Sequence, residues 1–152
     1  MGFNIVLVEP EIPTNTGNIG RLSLASGSAL HLVKPFGFEL DDKRLKRAGL
    51  DYWKHISINI YENIEDFYLK NKDVNMVYFS SSATKNYTTI NFKDNMFFLF
   101  GKESVGLSKK ITVKNSEKLY RIPIYSKHVR SLNLANAVSI VVYEALRNLK
   151  IE

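Results

Sequence analysis

Short apolar runs alternate along most of the chain with polar segments that have the period of a helix. Several of these runs end at a proline, a glycine or a polar cluster, as buried strands do. The pattern predicts strands over residues 3–8, 30–34, 56–60, 74–80, 96–100 and 119–124. It predicts helices within 10–27, where a polar turn leads into the helix, and over 41–48, 64–72 and 134–147.

This alternation of strands and helices predicts the fold class. We expect a single α/β domain over residues 1–152, with a mostly parallel sheet flanked by helices on both faces. Ligands of such sheets bind at the carboxyl ends of the strands. The loops after the predicted strands 96–100 and 119–124 are therefore the first places to look for a site.

The composition is that of a basic protein without cysteine. Lys and Arg number 21 against 15 acidic residues, a net charge of +6, which favours a polyanionic partner. The lack of cysteine excludes disulfides, zinc thiolate sites and thiol catalysis. The chain shows no secretory leader pattern and no apolar stretch of about 18 residues, so we expect a soluble, cytoplasmic protein with no membrane partner.

Glycines give the first candidate chemistry. Neither a dinucleotide-binding nor a P-loop glycine pattern occurs in the chain. Gly101 and Gly106, which follow a predicted strand, would let backbone amides approach a flat ligand such as an adenine ring. The alternative is that both are ordinary turn glycines. The three histidines have no metal-ligand spacing, so we expect no metal site.

Basic residues cluster in the stretches 43–47, 109–118 and 121–130. A charge run on a helix is usually a solvated face. The third stretch, however, adjoins the candidate loop 130–133, and Tyr52, Trp53 and Tyr87 offer flat faces for unstacked bases. This combination favours single-stranded RNA over a duplex, and we expect no DNA partner.

Three spaced polar patterns follow one another along the chain. They are Asn15-x-Gly17-Asn18-x-x-Arg21, Phe100-Gly101-x-Glu103-x-x-Gly106-Leu107, and Arg121-Ile122-Pro123-Ile124 ahead of Arg130-Ser131-Leu132-Asn133-Leu134-x-Asn136-Ala137-Val138. With them the chain resembles the SPOUT class of S-adenosylmethionine-dependent RNA methyltransferases. Within that class it is most similar to the small tRNA (cytidine/uridine) wobble-position 2'-O-methyltransferases of the TrmL or YibK type. The similarity covers nearly the whole chain, with departures at Gly20, Ser23 and Lys102.

The resemblance implies a fold, a cofactor and partners. It implies a C-terminal trefoil knot, with S-adenosylmethionine held bent in the knotted loops and no metal. It also implies a homodimer that binds the anticodon arm of tRNA across both subunits, with Tyr143 on the last helix in the dimer contact. The implied activity is 2'-O-methylation of the wobble cytidine or uridine, with leucine tRNAs as the expected substrates.

The resemblance also assigns residues to roles. Catalysis falls to Arg21, for charge stabilisation and orientation, to Ser131, for accepting the proton of the nucleophile, and to Asn133. The methyl donor is assigned to Phe79, Gly101, Glu103, Gly106, Ile122, Leu132 and Asn136. RNA is assigned to Asn15, Asn18, Arg44, Arg47 and Arg130. Ser131 and Asn133 stand just before a helix, so plain helix capping is the alternative for one of them.

Two other functions fit the same residues. One is 2'-O-methylation of a different RNA, such as ribosomal RNA. The other is a non-catalytic basic RNA-binding module, which would not need Arg21, Glu103 and Ser131 at these spacings and would bind no methyl donor.

Overall fold

The computed structural model describes residues 2–149, without the side chains of residues 49–51. The strands are β1 (Asn4–Val8), β2 (Ala29–Val33), β3 (Ile58–Tyr61), β4 (Met76–Phe79), β5 (Lys85–Asn86), β6 (Phe97–Phe100) and β7 (Leu119–Arg121). The α-helices are α1 (Pro13–Ala25), α2 (Lys43–Gly49), α3 (Ile64–Lys70), α4 (Lys109–Lys114) and α5 (Leu134–Leu149). A 3-10 helix over Leu50–His55 follows α2 directly.

The strands form one sheet in which every pairing is parallel. Its order is β3-β2-β1-β6-β4-β7-β5. The predicted α/β fold with a mostly parallel sheet is therefore confirmed. The carboxyl ends of β6, β4 and β7 lie side by side, although these strands are far apart in the sequence.

Both faces of the sheet are buried, as the continuous apolar strands predict. Ile5 and Leu7 of β1 pack into one core, where α5 covers the sheet. Val6 and Val8 point to the opposite face and pack into a second core with residues from α3 and α4. Because successive residues of a strand face opposite ways, each strand contributes to both cores.

Helix α1 lies within the predicted range 10–27. It begins at Pro13, directly after the extended Ile12, whose side chain gives no cap. Arg21 therefore lies eight residues after Pro13, more than two turns inside the helix. Gly20 is interior and buried. A Cβ at this position would come within 2.9 Å of the side chains of both Trp53 and Ile56, so a larger residue here would have to displace them.

Two short elements were not predicted. Strand β5 has two residues, and α4 has the sequence Lys-Lys-Ile-Thr-Val-Lys with Ser108 as its N-cap. Each is too short to show a period in the sequence. The predicted last helix, 134–147, extends to Leu149, and the predicted helix 41–48 begins at Lys43. Within residues 2–149, no helix combines the length and apolar character needed to cross a membrane.

Candidate functional site

A cavity of about 540 Å³ opens where β4, β6 and β7 end. It is lined by three loops and the first turns of two helices: Ile12, Asn15, Phe79, Ser80, Ser81, Phe100, Gly101, Lys102, Glu103, Ser104, Val105, Gly106, Arg121, Ile122, Ile124, Arg130, Ser131, Leu132, Asn133, Leu134 and Ala137. This is the sheet edge at which ligands of parallel sheets bind. The volume lies within the range of small-molecule sites.

The loop after β6 forms one wall of the cavity by folding back on itself. Lys102 and Gly106 make an antiparallel bridge, in which the Gly106 N–H donates to the Lys102 carbonyl at 2.8 Å. A Cβ at Gly101 would lie 2.1 Å from backbone atoms of Gly106 and Leu107. Gly106 has a φ of 73°, in the left-handed region that favours glycine. Both glycines line the cavity, but Gly101 is required by the crossing of the chain itself.

Glu103 holds this loop to the start of α1. Its carboxylate accepts hydrogen bonds from the backbone N–H groups of Glu11 at 2.9 Å and Ile12 at 2.7 Å. In return, the Glu11 carboxylate accepts from the N–H and hydroxyl of Ser104, and these bonds lower the pKa of Glu11 below its usual value. Glu103 therefore fixes the two backbone residues that lead into α1. This contact joins residues about 90 positions apart, which no local pattern reveals.

Asn15 and Asn133 extend the same chain of hydrogen bonds to α5. Asn15 Nδ2 donates to Glu103 at 3.3 Å, and Asn133 Nδ2 donates to Asn15 Oδ1 at 3.0 Å. Asn133 Oδ1 then accepts from the N–H of Asn136, so Asn133 caps α5. Asn15 is only 7% exposed with both ends of its amide engaged. Asn15 is therefore a buried bridge in the cavity wall, with its amide engaged inside the protein.

The loop after β7 forms the polar, open side of the cavity. Arg121, Arg130 and Ser131 line it and are exposed. Among the described residues, the Ser131 hydroxyl makes no hydrogen bond, in contrast to the engaged amide of Asn133. Of the two residues for which capping was the alternative, Asn133 is the cap. Ser131 remains available to a ligand.

The apolar side of the cavity comes from the strand ends. The rings of Phe79 and Phe100 stack with centroids 4.8 Å apart and planes at 10°. Ile122 and Leu132, both predicted donor-binding residues, lie in the same lining. A flat ring can therefore enter between aliphatic walls while backbone groups of the glycine loop meet its edge.

Several predicted residues lie outside the cavity wall. Arg21 is exposed on α1, with its guanidinium carbon 5.2 Å from the centre of the Tyr52 ring. Asn136 offers its backbone N–H to Asn133, and its side chain is exposed and does not line the cavity. Asn18 is exposed on α1, and Tyr143 is half exposed on α5. The structure does not bring these four together with Ser131 within one chain.

The predicted RNA-binding residues of α2 also lie apart from the cavity. Arg44 forms a two-pronged ion pair with Asp42, at 3.2 and 3.1 Å, which lowers the pKa of Asp42 and raises that of Arg44. Arg47 is exposed on the same helix. Arg44 is thus already partnered, whereas Arg130 lines the cavity and is exposed.

The site includes residues that the sequence did not single out as site residues. Ser80 and Ser81 follow β4, Arg121 ends β7, and Ile12 precedes α1. The signal that could have found the first three was their position at the carboxyl end of a strand. No cluster of three or more His, Cys, Asp or Glu side chains suited to a metal occurs in the part of the chain that the structure describes.

The model of the SpoU rRNA methylase family matches residues 2–143. The chain belongs to this family. A tRNA (cytidine(34)-2'-O)-methyltransferase of Saccharophagus degradans is 43% identical over 148 residues, covering 97% of this chain and 96% of its own. A Geobacillus stearothermophilus protein, provisionally named for the same activity, is 44% identical over 97% of this chain and 95% of its own.

Solved structures of other proteins resemble this SpoU family chain closely. One, described as giving insight into the 2-OH methylation of C/U34 on tRNA, superposes with a TM-score of 0.94 at 37% identity, covering 99% of this chain and 97% of its own. Another, an AdoMet-bound rRNA methyltransferase of Sinorhizobium meliloti, has a TM-score of 0.86 at 29% identity and covers 97% of this chain but 57% of its own. The SPOUT fold class is thereby confirmed.

Proposed function

We propose that this SpoU family member transfers a methyl group from S-adenosylmethionine to the ribose 2'-hydroxyl of the wobble nucleotide of tRNA. The observation that carries the proposal is the cavity between the glycine loop and the loop after β7. It combines apolar walls with the exposed polar side chains of Ser131 and Arg130, which form no hydrogen bond with the residues that the structure describes. The similarity to proteins named for methylation at cytidine 34 supports the choice of substrate. Leucine tRNAs are the isoacceptors that we expect.

The residues of the cavity fit the methyl donor. Its volume of about 540 Å³ accommodates a ligand of that size. Phe79, Ile122 and Leu132 would enclose the adenine, while the loop that Gly101 and Gly106 shape would contact its polar edge through the backbone. When bound, S-adenosylmethionine supplies an activated methyl group whose departure needs no metal. Glu103 would not touch the donor directly, because its carboxylate holds the start of α1.

The RNA would be contacted by Ser131 and by two arginines, Arg121 and Arg130. A ribose hydroxyl is a weak nucleophile, so its position and the removal of its proton limit the reaction. We assign to Ser131 Oγ the hydrogen bond from the 2'-hydroxyl, along which the proton leaves toward the open side of the site. Arg121 and Arg130 would hold phosphate oxygens beside it, since a guanidinium fork matches phosphate geometry. Asn133 would position Ser131 by fixing the start of α5.

Arg21 would complete the site from a second subunit. It does not line the cavity of its own chain, and α1 packs beside α5. The buried side of α5 contains Val138, Val141, Val142 and Ala145, but Ile140 and Tyr143 remain 37% and 50% exposed. We propose that this second apolar side of α5 forms a two-fold homodimer contact, in which one protomer's Arg21 reaches its partner's cavity. We also propose that the C-terminal third of the chain forms a trefoil knot. The position of β4 between β6 and β7 in the sheet supports the knot.

Methyl transfer onto tRNA tests the proposed function directly. The purified chain, radiolabelled S-adenosylmethionine and total tRNA should yield a 2'-O-methylated nucleotide at position 34, mapped by digestion and mass spectrometry. Ser131→Ala should lower the single-turnover rate roughly 100-fold and leave donor affinity unchanged. Methylation of ribosomal RNA but not tRNA would favour the alternative substrate. Donor binding without transfer to any RNA would overturn the proposal.

Mixed dimers test whether Arg21 acts across subunits. Arg21→Lys should lower transfer at least roughly tenfold, because an ammonium cannot replace the guanidinium fork. A dimer of one Arg21→Lys subunit and one Ser131→Ala subunit, purified through two different tags, should have about half the wild-type activity if Arg21 acts in trans. If Arg21 acts within its own chain, the mixed dimer should be as inactive as its parents.

The dimer contact itself can be tested by light scattering. Tyr143→Asp, which places a charge in the proposed contact, should give a folded monomer without tRNA methylation. Glu144→Gln, at the neighbouring position, changes a residue already paired with Arg147 and should remain dimeric. A wild-type chain that is monomeric at micromolar concentration and fully active would contradict the dimer.

A further inference from the structure

Tyr125 stands out as an aromatic ring held in solvent at the rim of the cavity. It is 96% exposed, the highest value among the exposed large hydrophobic residues of the described chain. Its neighbour Ile124 lines the cavity, and the loop returns to the lining at Arg130. An exposed aromatic residue at a site rim is a candidate contact for a ligand that extends beyond the cavity.

The aromatic residues that the sequence offered for stacking are less available. Trp53 packs against the apolar core, and a Cβ at Gly20 would meet its ring at 2.9 Å. Tyr87 also packs against the core, and the ring of Tyr52 lies against the Arg21 guanidinium. Tyr125 is thus the ring that the fold leaves free beside the site.

The stretch of sequence that contains Tyr125 is basic, which favours an anionic partner. Between Lys118 and Tyr143 the sequence contains no Asp or Glu, whereas it contains Arg121, Lys127 and Arg130 together with His128. An aromatic ring among basic residues is the combination that binds single-stranded nucleic acid. The phosphates contact the cations, and a base stacks on the ring. An acidic or purely apolar border would instead have indicated a different partner.

We infer that Tyr125 stacks on an unpaired base adjacent to the methylated nucleotide and thereby positions the tRNA at the site. This inference rests on the proposed function and adds a specificity-determining residue to it. For the target ribose to enter the cavity, the loop nucleotides must leave their own stack. Tyr125 would replace the lost stacking contact for the base that remains outside. It does not line the cavity in which the donor would bind, so it should affect RNA binding and not donor binding.

Substitutions at Tyr125 separate stacking from charge and from folding. Tyr125→Ala should lower kcat/KM for tRNA at least roughly fivefold, mainly through KM, because base stacking on an aromatic side chain is lost. Tyr125→Phe should retain near-wild-type values, since stacking needs the ring and not the hydroxyl. Val113→Ala is the matched control, because Val113 is 73% exposed on α4 and does not line the cavity. Calorimetry with S-adenosylhomocysteine should give the same affinity for all four proteins.

Salt dependence and fluorescence identify the contact as stacking. Tyr125→Ala should keep the wild-type slope of binding against salt concentration, whereas Lys127→Ala should reduce it by roughly one unit. An anticodon stem–loop with 2-aminopurine next to position 34 should lose fluorescence on binding the wild type and Tyr125→Phe, but less on binding Tyr125→Ala.

The outcomes distinguish this inference from the proposed function. If the wild type methylates position 34 and Tyr125→Ala does so with unchanged kcat/KM and equal quenching, the stacking role is wrong and the function stands. If Tyr125→Ala becomes monomeric by light scattering, Tyr125 belongs to a subunit contact and the inference is likewise overturned. If the wild type methylates no RNA, the proposed function fails first.

Discussion

Two polar clusters of this domain differ in how their hydrogen bonds are completed. At the open cavity, Ser131 makes no hydrogen bond among the described residues, and the neighbouring Arg130 is exposed. In the second cluster, His31 is 5% exposed within the core. His31 contacts the Tyr61 hydroxyl at 2.8 Å and the Asn4 amide oxygen at 2.9 Å.

The closed cluster has a partner for each polar group. Asn4 Nδ2 donates to the Asn95 carbonyl, so its oxygen faces His31 and must accept from Nε2. His31 Nδ1 then accepts from the Tyr61 hydroxyl, which in turn accepts from Asn71 Nδ2 at 3.2 Å. This arrangement needs a neutral imidazole, and burial lowers the pKa of His31 to about 4.

The comparison shows which polar groups hold the fold and which are available for ligands. Polar groups that satisfy one another in the interior specify the structure, and breaking such a network leaves unpaired groups at high cost. Polar groups left unpaired at a cavity mouth cost little while water reaches them. Substitutions of the unpaired polar groups at the open cavity should therefore change binding and catalysis. Substitutions in the closed cluster around His31 should change the free energy of unfolding.

The largest effect is expected from Gly101→Val, which changes the loop that forms one wall of the open cavity. Its side chain would collide with the backbone of Gly106 and Leu107, where a Cβ already comes within 2.1 Å. The loop must then open, and calorimetry should detect no binding of S-adenosylhomocysteine. The reason differs from the one that the sequence suggested, because the side chain would displace the chain itself before it reached an adenine.

Gly106→Ala provides the graded control for this substitution. No atom lies within 4 Å of a Cβ at Gly106, so only its φ of 73° opposes a side chain. The cost should be about 1 to 2 kcal/mol, which weakens donor binding by roughly tenfold. Both variants should keep the wild-type circular dichroism spectrum. Normal donor binding by Gly101→Val would place the donor site elsewhere.

The next effect is the loss of stability that the closed cluster around His31 should cause at low pH. Below the ordinary histidine pKa of 6.5, His31 takes up a proton in the unfolded chain but not in the folded one, until pH reaches its folded pKa of about 4. The free energy of unfolding should therefore fall as pH decreases from 6.5 to 4, by up to about 3 kcal/mol. Urea unfolding at several pH values measures this decrease.

Other histidines supply the control for the acid effect. His55 and His128 are exposed, so His55→Gln and His128→Gln should keep the same pH dependence, whereas His31→Gln should flatten it. The lowered pKa of Glu11 affects stability only below its usual value of 4.5, so its contribution falls largely below the histidine range. Equal pH dependence in His31→Gln and the wild type would show that His31 does not control the acid sensitivity.

The smallest effect is expected from Asn15→Ala, which removes a buried and fully paired side chain beside the open cavity and therefore acts on stability. It removes a hydrogen bond to Glu103 and one from Asn133. The free energy of unfolding should fall by about 1 kcal/mol, because water can still reach the groups of Glu103 and Asn133 that lose their partner. Asn18→Ala, an exposed asparagine of the same helix, should change it by less than about 0.5 kcal/mol. Equal urea midpoints for the two variants would show that the hydrogen bonds of Asn15 do not stabilise the fold.

The sequence predicted the regular parts of the fold because their signal is local. The strands around Leu7 and Phe98 are continuous apolar runs, and α5 has a complete apolar side. The two-residue β5 and the lysine-rich α4 were missed, because neither is long enough for a period to be visible.

Part of the predicted set of site residues lies together in the structure, but the arrangement could not be predicted from the sequence. Phe79, Gly101, Ile122, Leu132 and Ser131 do line one cavity. However, the role of Glu103 in fixing the backbone ahead of α1 depends on contacts between residues about 90 positions apart. The separation of Arg21 from the cavity of its own chain likewise depends on where α1 packs, which its sequence does not show.

The most direct test of the central claim is a crystal structure of the protein with S-adenosylhomocysteine. We predict that the adenine lies between Phe79, Ile122 and Leu132, against the loop that Gly101 and Gly106 shape, and that the sulfur faces Ser131. Difference density for the ligand at any other place, or an empty cavity in crystals grown at saturating ligand concentration, would contradict the account.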